Sequence, residues 1–146
     1  MKVLEALVAE LPNLHIISRD DAEYAVRRKI YNSAVDKRPL AIVVPNSADE
    51  VASTIKFARR TGVDISVRAG GHDLFGRALV EDAIVIDIRR LDNVEVDKDA
   101  GTANIGGGVL SLKLSRVLAE QGCITPCPNI ATYVDLCLIH VALLTC

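Results

Sequence analysis

The chain has 146 residues, of which half are hydrophobic and 25% are charged, so its length and composition suit a single folded domain. This balance argues against an intrinsically disordered segment. The formal net charge of −2 and the low aromatic content of 3% argue against a nucleic-acid-binding surface.

The N-terminal part of the chain predicts two helices and a linker. Residues 1–12 form an amphipathic pattern that stops at Pro12. A second helix is predicted over residues 18–30, with acidic residues leading and basic residues closing it, as the helix dipole favours. Those basic residues are interpreted as a solvated helix end. The polar stretches that follow, residues 31–33 and 37–39, are interpreted as a linker.

No segment predicts export or membrane insertion. Glu5 and Glu10 lie where a secretory signal would have its apolar core, so we expect a cytoplasmic protein. The longest apolar run, residues 136–145, is far shorter than the roughly 20 residues that cross a bilayer.

A β-α-β unit is predicted over residues 40–68. The continuous apolar run of residues 40–45 is typical of a buried strand. The Ser-x-x-Glu pattern at residues 47–50 is a capping box that begins a helix, and Gly62 ends that helix. A strand over residues 64–68 completes the unit.

The second half of the chain predicts mixed strands and one helix. A strand over residues 83–88 is followed by an antiparallel pair, residues 93–97 and 102–105, that is joined by a turn. Three glycines, residues 106–108, then lead into a helix with a regular apolar face. Mixed strands after a β-α-β unit indicate the α+β class.

The strand over residues 64–68 runs almost directly into Gly70, Gly71 and His72. Adjacent glycines permit positive φ angles and a close approach of a ligand to the backbone. Successive amide N–H groups in such a turn can converge on an anion, most often a phosphate. The same pattern is also compatible with a plain turn that carries a solvent-exposed histidine.

A second glycine-rich pattern, Gly106-x-Gly108-x-x-Ser111, also lies between a strand and a helix, which is the setting of a dinucleotide fingerprint. Ser111 stands where a third glycine or an alanine is expected, and no acidic residue lies near the expected position about 20 residues further on. We therefore expect no nicotinamide site here.

The four cysteines lie in the last quarter of the chain: Cys123, Cys127, Cys137 and Cys146. Without an export signal, a disulfide framework is not expected. No metal site is assigned, because Cys123 and Cys127 lack the C-x-x-C spacing and a matching second pair. A small metal-binding domain built on Cys123, Cys127, His140 and Cys146 is the alternative.

Five residues, beginning with the last residue of the second predicted strand, follow the order of a known flavin loop: Arg68, Gly70, Gly71, His72 and Gly76. This order resembles the loop of FAD-linked oxidases with a PCMH-type FAD-binding domain, and above all that of the berberine-bridge-enzyme-like proteins. The resemblance extends over residues 38–133. It implies FAD as the cofactor and an α+β fold, the N-terminal part of a PCMH-type (VAO-like) domain.

In that family the loop holds the FAD pyrophosphate, and its histidine often bonds to the 8α-methyl group of the flavin. The resemblance thus implies seven cofactor-binding residues: Arg68, Ala69, Gly70, Gly71, His72, Asp73 and Gly76. Among them, His72 is the implied covalent attachment. Cys127 aligns with a cysteine that makes a second bond, to flavin C6, in some relatives. Cys123 is the competing candidate for that bond, and an ordinary loop thiol is the alternative to both.

Three parts are predicted along the chain: a helical lead-in over residues 1–37, a partial FAD-binding domain over residues 38–134 and an aberrant apolar tail over residues 135–146. The tail departs from the glycine-rich continuation of the family and is interpreted as read-through, a frameshift or a truncated gene. We expect the substrate domain and the catalytic base to be missing with it, so no catalytic residue is assigned.

The resemblance implies an FAD-dependent oxidoreductase, an oxidase whose flavin accepts a hydride from a small organic substrate in secondary metabolism. No nucleic-acid or membrane partner is expected. The alternative is a non-catalytic flavin-binding fragment or pseudogene product. Such a fragment would self-associate through an exposed sheet or through the tail.

Overall fold

The computed structural model of the chain describes residues 2–126 and 141–143. It forms two compact units, Met1–Arg90 and Leu91–Cys146. The prediction of an α+β fold is confirmed, since each unit combines a helix with a sheet. The predicted boundaries after residues 37 and 134 remain predictions.

The first unit contains four strands, three helices and a short 3₁₀ turn at Ile88–Arg90. The helices are α1 (Lys2–Glu10), α2 (Tyr24–Arg27) and α3 (Ala48–Thr61). The strands are β1 (His15–Ser18), β2 (Ala41–Val44), β3 (Ile65–Arg68) and β4 (Ile84–Asp87).

The strands of this unit form one sheet in the order β1-β2-β4-β3. β2, β4 and β3 run parallel, whereas β1 pairs antiparallel with β2. The predicted β-α-β unit is therefore present as β2-α3-β3, but β4 lies between its two strands. In the β3–β4 register Arg68 is opposite Asp87, so the two carboxyl ends lie side by side.

The central strands β2 and β4 are buried along their whole length. One cluster of buried side chains includes Leu7 of α1 and Phe57 of α3, and another includes Tyr24 and Leu79. Burial on both faces is the usual condition of parallel strands and explains their continuous apolar runs. The apolar pattern in the sequence was therefore a reliable signal for β2 and β4.

Helix α3 begins and ends as predicted. Ser47 Oγ accepts a hydrogen bond from the amide of Glu50 at 3.2 Å, and Gly62 closes the helix with a left-handed φ of 71°. In a capping box the Glu50 carboxylate would accept a hydrogen bond from the amide of the N-cap residue, Ser47. Here it accepts from the amide of the preceding residue, Asn46, at 2.6 Å.

The predicted helix over residues 18–30 is wrong for most of its length. Strand β1 occupies its first residue, and α2 covers only Tyr24–Arg27. Both the amide and the hydroxyl of Ser18 donate to Asp21 Oδ2, at 2.6 and 2.7 Å, which fixes a turn in place of a helix. Ile17, just before this turn, is buried in the sheet.

The second unit contains the predicted hairpin and helix. The elements are β5 (Val94–Asp97), β6 (Thr102–Ile105), α4 (Ser111–Glu120) and β7 (Val141–Leu143). β6 pairs antiparallel with both β5 and β7, so part of the predicted tail forms a strand of this sheet. Leu114 and Leu118 of α4 pack in a buried cluster with Ile105 of β6.

Among residues 2–126 and 141–143, no helix is both long enough and apolar enough to cross a membrane. The longest of the helices given above is α3, with 14 residues.

Candidate functional site

The Gly-Gly-His loop begins at the carboxyl end of β3 and returns to the sheet at β4. Because β3 and β4 are parallel neighbours, their carboxyl ends form one edge, with Arg68 opposite Asp87. Open α/β sheets bind ligands at the carboxyl ends of their strands. The position of the loop therefore makes this edge the candidate functional site.

Arg68 lies beneath the loop and is only 6% exposed. Its guanidinium group donates to the main-chain carbonyls of Arg27 and Lys29, the latter at 2.6 Å. Its Nε atom is buried and has no hydrogen-bond partner within the described part of the chain. Burial, and then repulsion from Arg89 and Arg27, lowers the pKa of Arg68 to about 10, although Asp87 opposes this. The side chain therefore stays charged at neutral pH.

Asp87 is a completely buried carboxylate at the same edge. Arg89 Nε donates to its Oδ1 at 2.8 Å, and Arg27 Nη1 lies 3.8 Å from its Oδ2. The hydrogen bond to Asp87 raises the pKa of Arg89 above its ordinary value. Arg27 also pairs with the exposed Glu23 at 3.0 Å. Three guanidinium groups thus face two carboxylates, and the edge has a surplus of positive charge that favours an anion.

Gly71 packs directly against Arg68. Its φ of 75° lies in the left-handed region, and a Cβ atom at this position would lie 3.3 Å from Arg68 Nε. The Gly71 carbonyl accepts a hydrogen bond from the amide of Tyr31 at 2.9 Å. Within the residues that the structure describes, no hydrogen bond uses the amide of Gly70 or Gly71 as its donor. These amides are therefore available to an external acceptor.

Asp73 holds the shape of the loop. Its carboxylate accepts hydrogen bonds from the amides of Phe75, Arg77 and Ala78, with distances of 3.1 Å to Phe75 and Ala78. Burial alone would raise the pKa of Asp73, but these hydrogen bonds outweigh it and lower the pKa below its ordinary value. Asp73 and Arg68 thus support the loop from within, and the ligand contacts expected of both remain predictions.

Gly76 marks a close contact between the loop and the chain before β2. Its φ is 68°, and an added Cβ atom would lie 2.7 Å from Val35 Cγ2. Lys37 Nζ donates to the Gly76 carbonyl at 3.2 Å, and Asn32 Nδ2 donates to that of Leu74 at 2.8 Å. The stretch that sequence analysis interpreted as a linker therefore lies against the candidate site.

His72 is partly exposed, and its ring stacks on that of Tyr31. The ring centroids are 4.7 Å apart and the planes differ by 21°. Sequence reasoning placed His72 in the site but missed Tyr31 and the carbonyls that Arg68 binds. Main-chain carbonyls have no residue signature, and a tyrosine 41 positions from the histidine gives no local signal.

Cys127, His140 and Cys146 lie outside the described residues, so the second flavin bond remains a prediction. Cys123 is described, and it is disulfide-bonded, although no disulfide framework was expected. The absence of an export signal was therefore not a sufficient guide to the state of this thiol. Within residues 2–126 and 141–143, no group of three His, Cys, Asp or Glu side chains could hold a metal ion.

Comparisons with known proteins agree on one family. A family model described as an FAD binding domain matches residues 39–136. The chain is 36% identical over 122 residues to the FAD-linked oxidoreductase aurO of Gibberella zeae, with 84% of this chain and 24% of that protein covered.

Two solved structures have the same fold over most of the chain. One is 6-hydroxy-D-nicotine oxidase from Arthrobacter nicotinovorans, with a TM-score of 0.81 and 30% identity over 84% of this chain and 27% of that one. The other is the wild-type berberine-bridge-enzyme-like protein 1 of Physcomitrella patens, with a TM-score of 0.82 and 26% identity over 88% of this chain and 28% of that one. The predicted PCMH-type, VAO-like architecture is thereby confirmed.

The chain spans about a quarter of the length of the relatives that it matches. The candidate site within this chain has features that suit the pyrophosphate of a dinucleotide. It has available glycine amides, a surplus of positive charge and a buried Arg68 Nε atom with no hydrogen-bond partner among the described residues. The chain belongs to the FAD-binding domain family that includes FAD-linked oxidoreductases and berberine-bridge-enzyme-like proteins, and its cofactor is FAD.

Proposed function

We propose that this chain forms the cofactor-holding part of an FAD-dependent oxidase that acts on a small organic substrate. The main support for this proposal is the Gly-Gly-His loop, which lies at the carboxyl ends of β3 and β4 beside an excess of positive charge. FAD, when bound, accepts a hydride and passes the electrons to dioxygen, while the protein supplies binding and orientation.

The backbone of residues 69–72 is proposed to hold the pyrophosphate. The amides of Gly70 and Gly71 would donate to its oxygens, and Arg68 would stabilise its charge from below. Because Arg68 donates to two main-chain carbonyls, its contribution is electrostatic and structural. Asp73 and Gly76 would keep the loop in the shape that presents these amides.

His72 is proposed to bond covalently to the 8α carbon of the flavin. The imidazole loses its N–H proton and the methyl group loses one hydrogen as the C–N bond forms. The two electrons released pass to dioxygen, which leaves as hydrogen peroxide. Support comes from the partial exposure of His72 and from its place directly after the two glycines. Cys127 is the proposed position for any second bond.

Covalent attachment can be tested by in-gel flavin fluorescence of the denatured 146-residue chain after incubation with FAD. A fluorescent band that disappears in His72→Ala is the expected result. His15→Ala is the matched control, because His15 lies in β1 and pairs with Glu23 at 3.3 Å. A dark wild-type band would contradict covalent attachment. Quenching of FAD fluorescence in solution would then measure non-covalent binding separately.

A small organic substrate is proposed because a related oxidase, 6-hydroxy-D-nicotine oxidase, acts by its name on such a molecule. A role in secondary metabolism is part of the same proposal. Incubating the FAD-loaded chain with 6-hydroxy-D-nicotine and measuring peroxide tests whether the cofactor-holding part alone supports turnover. A signal no greater than that of free FAD would show that it does not.

A non-catalytic, self-associating fragment is the second candidate, and one observation favours it. β3 lies at the edge of its sheet, with Ile65 36% exposed and Val67 52% exposed. Exposed apolar edge strands pair with other chains. Light scattering should then show oligomers that Val67→Lys reduces to monomers. A monomeric wild-type chain would contradict this candidate.

A further inference from the structure

The Tyr31–His72 stack joins the flavin loop to a segment that precedes the matched family domain. The ring centroids lie 4.7 Å apart and the planes differ by 21°, whereas the domain match begins at residue 39. Near-parallel aromatic rings at this distance attract each other in an offset arrangement. The contact therefore restricts the plane that the imidazole can adopt.

Tyr31 is anchored so that its ring has a defined position. Its amide donates to the Gly71 carbonyl at 2.9 Å, one residue before His72. Arg68 binds two main-chain carbonyls just before Tyr31, and Asn32, just after it, donates to a loop carbonyl at 2.8 Å. The backbone on both sides of the tyrosine is thus tied to the loop.

The ring of Tyr31 has little role in the core, since the residue is 65% exposed. Two glycines precede His72, so these neighbours offer no side chain that could orient its imidazole. The ring of Tyr31 provides a flat surface against which the imidazole stacks. An exposed position also allows substitution with a small effect on stability, so a specific effect can be measured.

We propose that Tyr31 is a positioning residue that holds the His72 imidazole in the orientation from which it bonds to the flavin. The inference rests on the covalent attachment given under Proposed function. It adds a residue outside the matched domain to the machinery of attachment. Tyr31 acts through His72.

The test compares Tyr31→Phe and Tyr31→Leu in the 146-residue chain. Without FAD, the His72 ring protons should move in the NMR spectrum when leucine removes the ring current, and should stay in place with phenylalanine. With FAD, Tyr31→Leu should lengthen the half-time of covalent incorporation by about two- to tenfold. Tyr31→Phe should restore the wild-type rate, and FAD affinity measured by quenching should be equal in all three proteins.

Phe75→Leu is the matched control, because Phe75 is an exposed aromatic residue of the same loop whose ring contacts Arg77. Its incorporation rate should equal that of the wild type. Wild-type incorporation by Tyr31→Leu, or His72 signals that do not move, would overturn the proposal.

The two proposals can fail separately. A wild-type chain that attaches no flavin contradicts the covalent bond. The NMR result without FAD then decides the role of Tyr31 by itself. Unmoved His72 signals overturn positioning by Tyr31, and moved signals support it.

Discussion

The chain contains two glycine-rich loops after strands, and they are used differently. Gly70 and Gly71 follow β3, whereas Gly106, Gly107 and Gly108 follow β6. The amides of Gly106 and Gly108 donate to the carbonyls of Asn93 and Leu91 at 2.8 and 2.9 Å. A Cβ atom on Gly106 would overlap the Leu91 carbonyl oxygen. This second loop is a packing turn, and these two amides are not available to a phosphate.

The first loop presents the opposite arrangement. The amides of Gly70 and Gly71 make no hydrogen bond within the described residues, and buried Arg68 lies beneath them. The charged group near the second loop is Asp92, which pairs at the surface with Lys113. A glycine pattern in the sequence thus indicates only a tight backbone. Whether such a loop binds a ligand depends on which acceptors its amides donate to and on the charges beside the loop.

The largest expected effect concerns the buried charges that distinguish the first loop. Asp87→Asn should lower the free energy of unfolding by about 3 kcal/mol, because it removes the buried countercharge of the Arg27 and Arg89 guanidinium groups. Because Arg27 and Arg89 are partly exposed, the expected loss of stability is at the lower end of the range for breaking a buried ion pair. Urea unfolding measures it. Asp92→Asn, which breaks an exposed pair, should cost no more than about 0.5 kcal/mol. Equal losses in the two variants would contradict a special role of the buried charge beside the first loop.

The packing role of the second loop predicts the next effect. Gly106→Ala should cost about 2–3 kcal/mol, because the added methyl group meets main-chain atoms that cannot move aside. Gly101→Ala, at a φ of 65° with nothing within 4 Å of the added atom, should cost about 1 kcal/mol from backbone strain alone. Thermal unfolding of both variants checks the order. A harmless Gly106→Ala would show that this glycine is not needed for packing.

The binding role of the first loop predicts that a substitution there costs less stability than Gly106→Ala but also weakens the binding of FAD. Gly71→Ala should cost about 1–2 kcal/mol from its left-handed φ. It should also weaken FAD binding about tenfold, since the added methyl group crowds Arg68 Nε and either that side chain or the loop must shift. Gly62→Ala has a similar φ of 71° with nothing within 4 Å, so it should lose stability alone. Equal FAD affinity in both variants would contradict a cradle at Gly71.

The smallest effect concerns pH. Since the pKa of Asp73 is lowered on folding, its contribution is complete above the unfolded value of about 3.9 and is lost as the pH falls through the folded pKa. Asp73→Asn should cost about 1 kcal/mol at pH 7 and lose less stability than wild type on acidification. Urea midpoints at pH 7 and 3 check this. Exposed Asp20→Asn is the control and should follow the wild type.

Several elements could be predicted because their causes are local. The Ser47 cap and Gly62 bound α3, continuous apolar runs mark β2 and β4, and a turn at residues 98–101 joins β5 to β6. Strand β1 was missed because its apolar part is brief, and its last residue, Ser18, was assigned to a helix. Only its pairing with β2 shows that it is a strand. The insertion of β4 between β2 and β3 is likewise set by the sheet and not by the order of the chain.

The amino-acid sequence was sufficient to predict a strand that ends in two glycines and a histidine, because strand propensity and glycine spacing are local properties. The tertiary structure alone decided what surrounds that histidine. It places Arg68 against the carbonyls of Arg27 and Lys29 and stacks Tyr31 on His72. These contacts join positions about 40 residues apart through main-chain oxygens and ring faces. Such groups acquire their specificity only when the sheet brings the two segments together.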